Sequence, residues 1–130
     1  MFEPIEYLKE DGLFLLLHIS KSIKENGKIF HLHTIELENA ILSFFFEEKK
    51  RLGTLAIAIP KNLESPGSSS IMLGYKNVTI TRLLAELLAT NSNKIAITSV
   101  FINTESDFST NKILFKLAQS KHGATVEKNR

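Results

Sequence analysis

The chain has 130 residues, enough for one domain of ordinary size and too few for two large ones. Hydrophobic residues make up 43% of the sequence and charged residues 23%, which is typical of a folding chain rather than an intrinsically disordered one. The formal net charge is only +2 and the basic residues are interleaved with acidic ones, which argues against a nucleic-acid groove. The absence of cysteine excludes disulfides, thiol nucleophiles and thiolate metal sites.

The beginning of the sequence shows no targeting signal. Residues 1–4 lack the basic start of a secretory signal. The apolar run 13–17 is five residues long, far short of the ~20 needed to span a bilayer. We therefore expect a soluble intracellular protein with one α+β domain over residues 1–122 and a flexible polar tail over 123–130.

Turn residues divide the first half of the chain into strands. The apolar run 13–19 predicts a first strand, and the polar stretch 20–28, with a turn signal at Asn26-Gly27, predicts a connection. Alternating large and small apolar residues over 55–59 predict a further strand before Pro60. Residues 62–70, which contain Pro66-Gly67 and three serines, predict the longest and most mobile loop.

A tight hairpin is predicted between the segments 29–37 and 40–47. Only Glu38 and Asn39 separate them, and asparagine tolerates the positive φ of a two-residue turn. Counting outward from this turn pairs Leu37 with Ala40, Ile35 with Leu42, His33 with Phe44, and His31 with Phe46. These eight side chains share one face, because side chains alternate along a strand with period two. The opposite face carries Phe30, Leu32, Thr34, Glu36, Ile41, Ser43 and Phe45. The charged residues 47–53 that follow predict a solvated connection.

The second half of the chain predicts a helix, a strand and a second helix. Thr79 is the predicted cap of the first helix, which ends at 91–93. Its predicted apolar stripe consists of Ile80, Leu83, Leu84, Leu87 and Leu88. Residues 94–102 predict a strand, and Ser106 or Ser109 is expected to cap a last helix that runs to about Ser120.

These elements predict an α+β fold with a mostly antiparallel sheet of five to six strands. Two helices would cover one face and leave the other available for dimerisation. Several strands are apolar on both sides, as where Ile95 and Ile97 alternate with Ala96 and Val100. Because two helices cannot cover both faces, we expect the second apolar face to be an interface with another chain. We expect the helices to take the face of Leu55, Ile57 and Ile59.

Candidate chemistry is sparse in this sequence. His31 and His33 point the same way on a strand and, with His18, could hold a metal, but no further ligand has motif spacing. Ser68–Ser70 lack the spaced glycines and the lysine of a phosphate-binding loop. Glu105 and Asp107 lie where acids ordinarily cap helices. We therefore predict a protein that is not an enzyme and that has no cofactor, no metal and no catalytic residues.

An ordered set of segments resembles the proteasome assembly chaperone 4 family. The likeness covers about residues 28–110 and is interrupted around the Pro66 loop. It rests on His31-Leu32-His33, Leu37, the strand through Phe46, Leu55–Ala58, Leu73-Gly74, Leu83–Leu88, Asn93-Lys94 and Asn103–Phe108. Single segments are weak signals, whereas their order and spacing together are fairly specific.

The resemblance implies a chaperone that forms a heterodimer with the homologous assembly chaperone 3. The dimer would bind an α subunit of the 20S proteasome, expected to be α5, promote assembly of the α ring and leave before the particle matures. The resemblance also implies a location in cytoplasm and nucleus and no contact with nucleic acid or membrane. The candidate residues for the chaperone partner are His31, His33, Ile35, Leu42, Phe44 and Phe46. Those for the proteasome subunit are Pro66, Gly67, Ser68, Asn103 and Asp107.

Two other functions are compatible with the pattern. A small dimerising trafficking scaffold of the longin or roadblock type also combines hairpins with helices, but usually places a helix earlier in the strand series. A metalloenzyme built on His18, His31 and His33 is the second alternative.

Overall fold

The computed structural model describes residues 18–61, 66–103, 105 and 107–119, which form one six-stranded sheet and two helices. The strands are β1 (His18–Glu25), β2 (Lys28–Glu36), β3 (Ala40–Glu47), β4 (Thr54–Ile59), β5 (Ser68–Leu73) and β6 (Ile95–Phe101), and the helices are α1 (Val78–Ser92) and α2 (Phe108–Gln119). The order across the sheet is β1-β2-β3-β6-β4-β5. Only β3 and β6 pair in parallel; the other neighbours are antiparallel. The predicted α+β fold is thus confirmed.

The first strand differs from its prediction. β1 begins at His18 and runs through the segment 20–25, which was predicted to be a connection. This segment forms a strand because its residues alternate, with Ile19 and Ile23 on the side of the helices and serines on the other. The turn at Asn26-Gly27 is confirmed, with φ of 54° and 78°. Most of the predicted strand 13–19 lies outside the described residues.

The β2–β3 hairpin has the predicted register. Leu37 N–H donates to the Ala40 carbonyl oxygen at 2.7 Å, which closes the two-residue turn. Ile35, His33 and His31 pair with Leu42, Phe44 and Phe46. The turn sets this register locally, because one extra or missing residue would move every side chain to the other face.

Residues 68–70 form part of a strand and not of the predicted mobile loop. β5 pairs with β4 along the sheet edge. Ser69 donates a short hydrogen bond to Glu86 of α1, and Arg82 Nε donates to Ser69 Oγ at 3.0 Å. These contacts with the helix hold a serine-rich segment whose own sequence favours a loop. Residues 62–65 of the same predicted loop lie outside the described part.

The first helix buries a stripe that differs from the predicted one. Ile80, Leu84 and Leu88 are buried as predicted, but Leu83 is 47% exposed and the stripe continues instead through Ala85 and Ala89. The helix starts after Asn77, whose φ is 57° and whose side chain makes no cap, so Thr79 is not the capping residue. The predicted end is confirmed by Asn93, which is left-handed at the C-cap.

Asp107 caps the second helix, whereas a serine was predicted. Its Oδ1 accepts a hydrogen bond from Thr110 N–H at 2.8 Å, and this bond lowers the pKa of the carboxyl group. Ser109 lies within the first turn, and Ser106 is outside the described residues. Neither helix in the described part of the chain is long and apolar enough to cross a membrane.

Both helices pack on the face opposite to the one we expected. α1 covers Ala56 and Ala58 of β4 and α2 lies over β1 and β2, whereas Leu55, Ile57 and Ile59 point to the other side. α1 packs against β4 and buries two alanines of its own, Ala85 and Ala89. Small side chains on both elements let the helix and the sheet approach closely. The bulk of the core comes from Phe30, Leu32, Phe45, Val100, Leu84, Leu114 and Leu117.

Candidate functional site: the helix-free face of the sheet

One side of the sheet carries no helix in the described part of the chain, and we call it the helix-free face. The pairing registers place every odd residue of β2, β4 and β6 and every even residue of β1 and β3 on this side. Its aromatic and large apolar members are His18, Ile29, His31, His33, Ile35, Leu42, Phe44, Phe46, Leu55, Ile57, Ile59, Ile95, Ile97 and Phe101. All six residues predicted to contact the partner chaperone therefore lie on one surface.

A ring cluster occupies the β1–β3 part of this face. The His31 ring stacks on Phe46 with centroids 4.9 Å apart, and the His33 ring meets Phe46 edge-on at 5.2 Å. His18 meets His33 edge-on at 5.9 Å. Phe46 is only 3% exposed because its own chain covers it, whereas Phe44 is half-buried. Phe44 is thus accessible to another molecule, whereas Phe46 is covered by the side chains that pack on it.

Two imidazoles of this cluster, those of His31 and His33, favour their neutral form. Burial is the main cause that lowers the pKa of His31, with Lys50 lowering it further and Glu48 raising it. The pKa of His33 is also lowered, first by burial and then by Lys50 and the other two imidazoles. Neutral rings suit an apolar contact surface, because they can be desolvated without burying a charge.

The geometry gives no support to the metalloenzyme alternative. A hydrogen bond of 2.8 Å already joins His31 Nδ1 to Ser22 Oγ. Within the described ranges, no three His, Asp or Glu side chains are grouped closely enough to hold a metal ion. The absence of a metal from the protein stays a prediction. Elemental analysis of the purified protein tests it.

The connection 48–53 forms a wall on the helix-free face, although we predicted only a solvated link. It leads from β3 to β4 past the end of β6, where Gly53 N–H donates to Ser99 Oγ at 2.9 Å. The Arg51 guanidinium lies over the Phe101 ring, 5.4 Å from its centroid. A cavity of about 300 Å³ opens between this wall and the sheet. We call it the Phe44 pocket; it is lined by His33, Phe44, Phe46, Lys50, Arg51 and Leu52.

The residues predicted to contact the proteasome subunit do not form one site. Asn103 lies at the end of β6, where its amide groups donate to the Glu47 carboxylate at 3.1 and 3.2 Å. Ser68 pairs with Ile59 at the far end of β4. A six-residue strand such as β4 spans about 20 Å. Pro66, Gly67 and Ser68 are therefore at one end of the sheet, and Asn103 and Asp107 are at the other.

Two exposed aromatic residues near Asn103 were missed by the sequence analysis. Tyr75 is 92% exposed and Phe108 is 81% exposed. Lys76, next to Tyr75, donates from Nζ to the Asn103 carbonyl oxygen at 2.7 Å, so the loop before α1 and the loop before α2 meet at this end. An aromatic residue in a loop is a signal that the sequence provides, but no local pattern shows whether its side chain is exposed or buried.

Comparison of the sequence with known protein families and with curated proteins finds no match.

Proposed function

We propose that this chain is an assembly chaperone of the 20S proteasome that pairs with a homologous small chaperone through its helix-free face. The observation that carries the proposal is the position of both described helices on one side of a sheet that is apolar on both sides. The pair then binds an α subunit, expected to be α5, and promotes assembly of the α ring in cytoplasm and nucleus.

The apolar surface left uncovered on the helix-free face supports binding of a partner. Ile35, Leu42, Phe44, Ile57 and Ile97 are only partly buried by their own chain, and they come from four neighbouring strands. Contiguous apolar patches of more than a few hundred Å² are rare on monomers and usually mark an interface. A second sheet packed face to face about 10 Å away would bury this surface. A homologous partner supplies such a sheet.

The end of the sheet near Asn103 supports a second contact. Tyr75 is exposed in the loop before α1 and Phe108 is exposed at the start of α2, and Lys76 joins the first of these loops to Asn103, a predicted contact residue for the subunit. Exposed aromatic side chains are common anchors of protein interfaces. We propose that this end holds the α subunit and that the Pro66-Gly67-Ser68 end does not.

The proposed mechanism uses binding energy alone. Two homologous chains would present a composite surface that favours one orientation of the α subunit and sterically blocks incorrect neighbours. Release follows when the next subunit competes for the same surface. No cofactor, nucleotide or catalytic residue enters this mechanism.

The order of elements supports the chaperone over a longin or roadblock scaffold. Five strands precede α1 in the described part of the chain. Longin and roadblock scaffolds usually place a helix earlier in the strand series.

Affinity purification of the tagged chain from a native extract, followed by mass spectrometry, tests this function. We expect a small homologous chaperone and proteasome α subunits, without the full set of subunits of the mature particle. Tyr75→Ala should retain the chaperone and lose most of the α subunit. A preparation with no proteasome subunit at all would contradict the proposal.

A further inference from the structure

The helix-free face carries little charge along its described strands, and that charge is positive. In the described part of the chain, no Asp or Glu side chain of any strand points to this side. The ionisable residues that do are Lys24 and three histidines. The acidic strand residues Glu25, Glu36 and Glu47 lie on the side of the helices. The strands of this face therefore combine apolar surface with one positive charge, that of Lys24.

The wall of the Phe44 pocket adds to this charge. Lys50 and Arg51 line the pocket together with apolar groups. The Arg51 guanidinium already lies over the Phe101 ring. Binding a ligand at the rim of the pocket would therefore cost this side chain little conformational entropy. The neighbouring carboxylate of Glu48 accepts a hydrogen bond from Ile29 N–H at 3.0 Å. Glu48 thus lies at the start of β2 and does not line the pocket.

We infer that the partner seated on this face is a protein that inserts an apolar side chain into the Phe44 pocket and places a carboxylate beside it, against Lys50. A volume of about 300 Å³ admits a single leucine- or phenylalanine-sized side chain. A carboxylate at the rim would meet two cations and no competing anion of the pocket lining, and this arrangement is the electrostatic complementarity found in specific interfaces. The inference rests on the proposed use of the helix-free face as an interface.

The same charge pattern disfavours a second copy of this chain as the partner. In a two-fold dimer the same patch of both subunits meets, so Lys24, Lys50 and Arg51 of one copy would lie near those of the other. Like charges opposed across an interface cost affinity. An anionic membrane is the other class of partner that an apolar face with positive charge can bind, and vesicle binding is therefore one arm of the test.

Short capped peptides test the inference without the partner or the proteasome. The probes are Ac-Glu-Leu-Glu-amide, Ac-Lys-Leu-Lys-amide and Ac-Glu-Gly-Glu-amide, titrated into the isotopically labelled protein and followed by NMR. We expect only the first to shift the signals of His33 and Phe44 to saturation. Lys50→Glu should weaken its binding about three- to fivefold, because it removes an exposed ion pair worth up to about 1 kcal/mol and puts a like charge in its place. Lys49→Glu, a charge reversal one residue away that does not line the pocket, should change it less than twofold.

Four results would overturn the inference. Equal binding of the basic peptide, or equal effects of Lys50→Glu and Lys49→Glu, would show that the rim charge does not select the ligand. Dimerisation of the isolated chain in sedimentation, abolished by Phe44→Ala, would assign the face to a second copy. Binding of phosphatidylserine vesicles that needs Lys50 would assign it to a membrane. Peptide binding as expected, with no proteasome subunit recovered from extracts, would leave the pocket assignment intact and refute the proposed function.

Discussion

Phe44 and Phe45 are adjacent in β3 and lie on opposite sides of the sheet. Phe45 is 0% exposed among the core residues under the helices, whereas Phe44 lines the pocket on the helix-free face. Truncating the two rings therefore tests two different interfaces with the same chemical change. One interface lies within the chain, and the other is the one proposed with a partner.

We expect Phe45→Ala to destabilise the fold and Phe44→Ala to impair partner binding. Loss of a fully buried Phe ring costs about 3–5 kcal/mol of unfolding free energy. Loss of an interface anchor costs about 2 kcal/mol of binding, roughly thirtyfold in affinity. Urea unfolding of the isolated chain and size-exclusion chromatography with the co-expressed partner measure the two effects. A Phe44→Ala variant that is folded and still paired would refute the helix-free face as the interface.

Thr98 and Ser99 form a second neighbouring pair with opposite surroundings. Thr98 Oγ1 is buried under the helices and has no hydrogen-bond partner, whereas Ser99 Oγ accepts the hydrogen bond from Gly53 N–H. Replacing an unsatisfied hydroxyl with a methyl group of similar shape removes a desolvation penalty of about 1–3 kcal/mol. Thr98→Val should therefore raise the free energy of unfolding by about 1 kcal/mol, and Ser99→Ala should lower it by about the same amount.

Urea unfolding at neutral pH measures both changes. A stable Ser99→Ala variant would mean that the connection 48–53 does not depend on its hydrogen bond to β6. An unstable Thr98→Val variant would mean that the Thr98 hydroxyl has a partner in solution.

Local rules predicted the β2–β3 hairpin well and the side of the helices poorly. The two-residue turn at Glu38-Asn39 sets the register, because alternation then places every side chain. The side covered by the helices could not be predicted this way, since β4 is apolar on both sides. We chose the side with Leu55, whereas the helix packs against the alanines, and that choice depends on the shape of α1.

Long-range contacts account for the other differences between sequence and structure. β5 is rich in serine, and the contacts of Ser69 come from α1, 13 and 17 residues further along the chain. The wall of the Phe44 pocket depends on the bond between Gly53 and Ser99, which are 46 residues apart. Neither contact leaves a local pattern in the sequence. Consequently, the ring cluster could be predicted from one hairpin, but the pocket could not.

We expect the stability of the fold to be acid-sensitive because of His31 and His33 in the ring cluster. Because the pKa values of His31 and His33 are lowered from 6.5, the unfolded chain binds protons more readily than the folded one. The stability from these groups is complete above about pH 6.5 and is lost as the pH falls through 6.5 towards the lowered values. We expect the urea midpoint to fall between pH 7.5 and 5.5, and to fall less in the His31→Gln, His33→Gln double variant.

Two variants of the connection should move these pKa values in opposite directions. Lys50→Gln removes a cation that lowers both, so the pKa of His31 and of His33 should rise. Glu48→Gln removes the carboxylate that raises the pKa of His31, so that value should fall. NMR titration of the imidazole protons measures each value. Unchanged titration in both variants would show that the connection does not lie over the helix-free face.

Gly53 holds the connection in place, and its replacement should release the wall of the pocket. A Cβ at this position would lie 2.0 Å from the Val100 carbonyl oxygen and 2.7 Å from Phe101 Cα. Both atoms belong to the backbone of β6 and cannot turn aside as a flexible side chain could. Gly53→Ala must therefore either distort β6 or lift the connection from it, and forced overpacking of this kind costs about 1–3 kcal/mol or more.

The two responses to Gly53→Ala differ in what they do to the pocket. A lifted connection would separate Arg51 from Phe101 and remove Lys50 from the histidines, so the pKa of His33 should rise along with the loss of stability. Lys49→Ala is the matched control, since Lys49 is exposed and does not line the pocket, and its truncation should change stability by less than about 0.5 kcal/mol. Because the inferred ligand needs the wall, Gly53→Ala should also weaken binding of Ac-Glu-Leu-Glu-amide. A variant that is as stable as the parent chain and binds this peptide equally well would show that the wall is not part of the site.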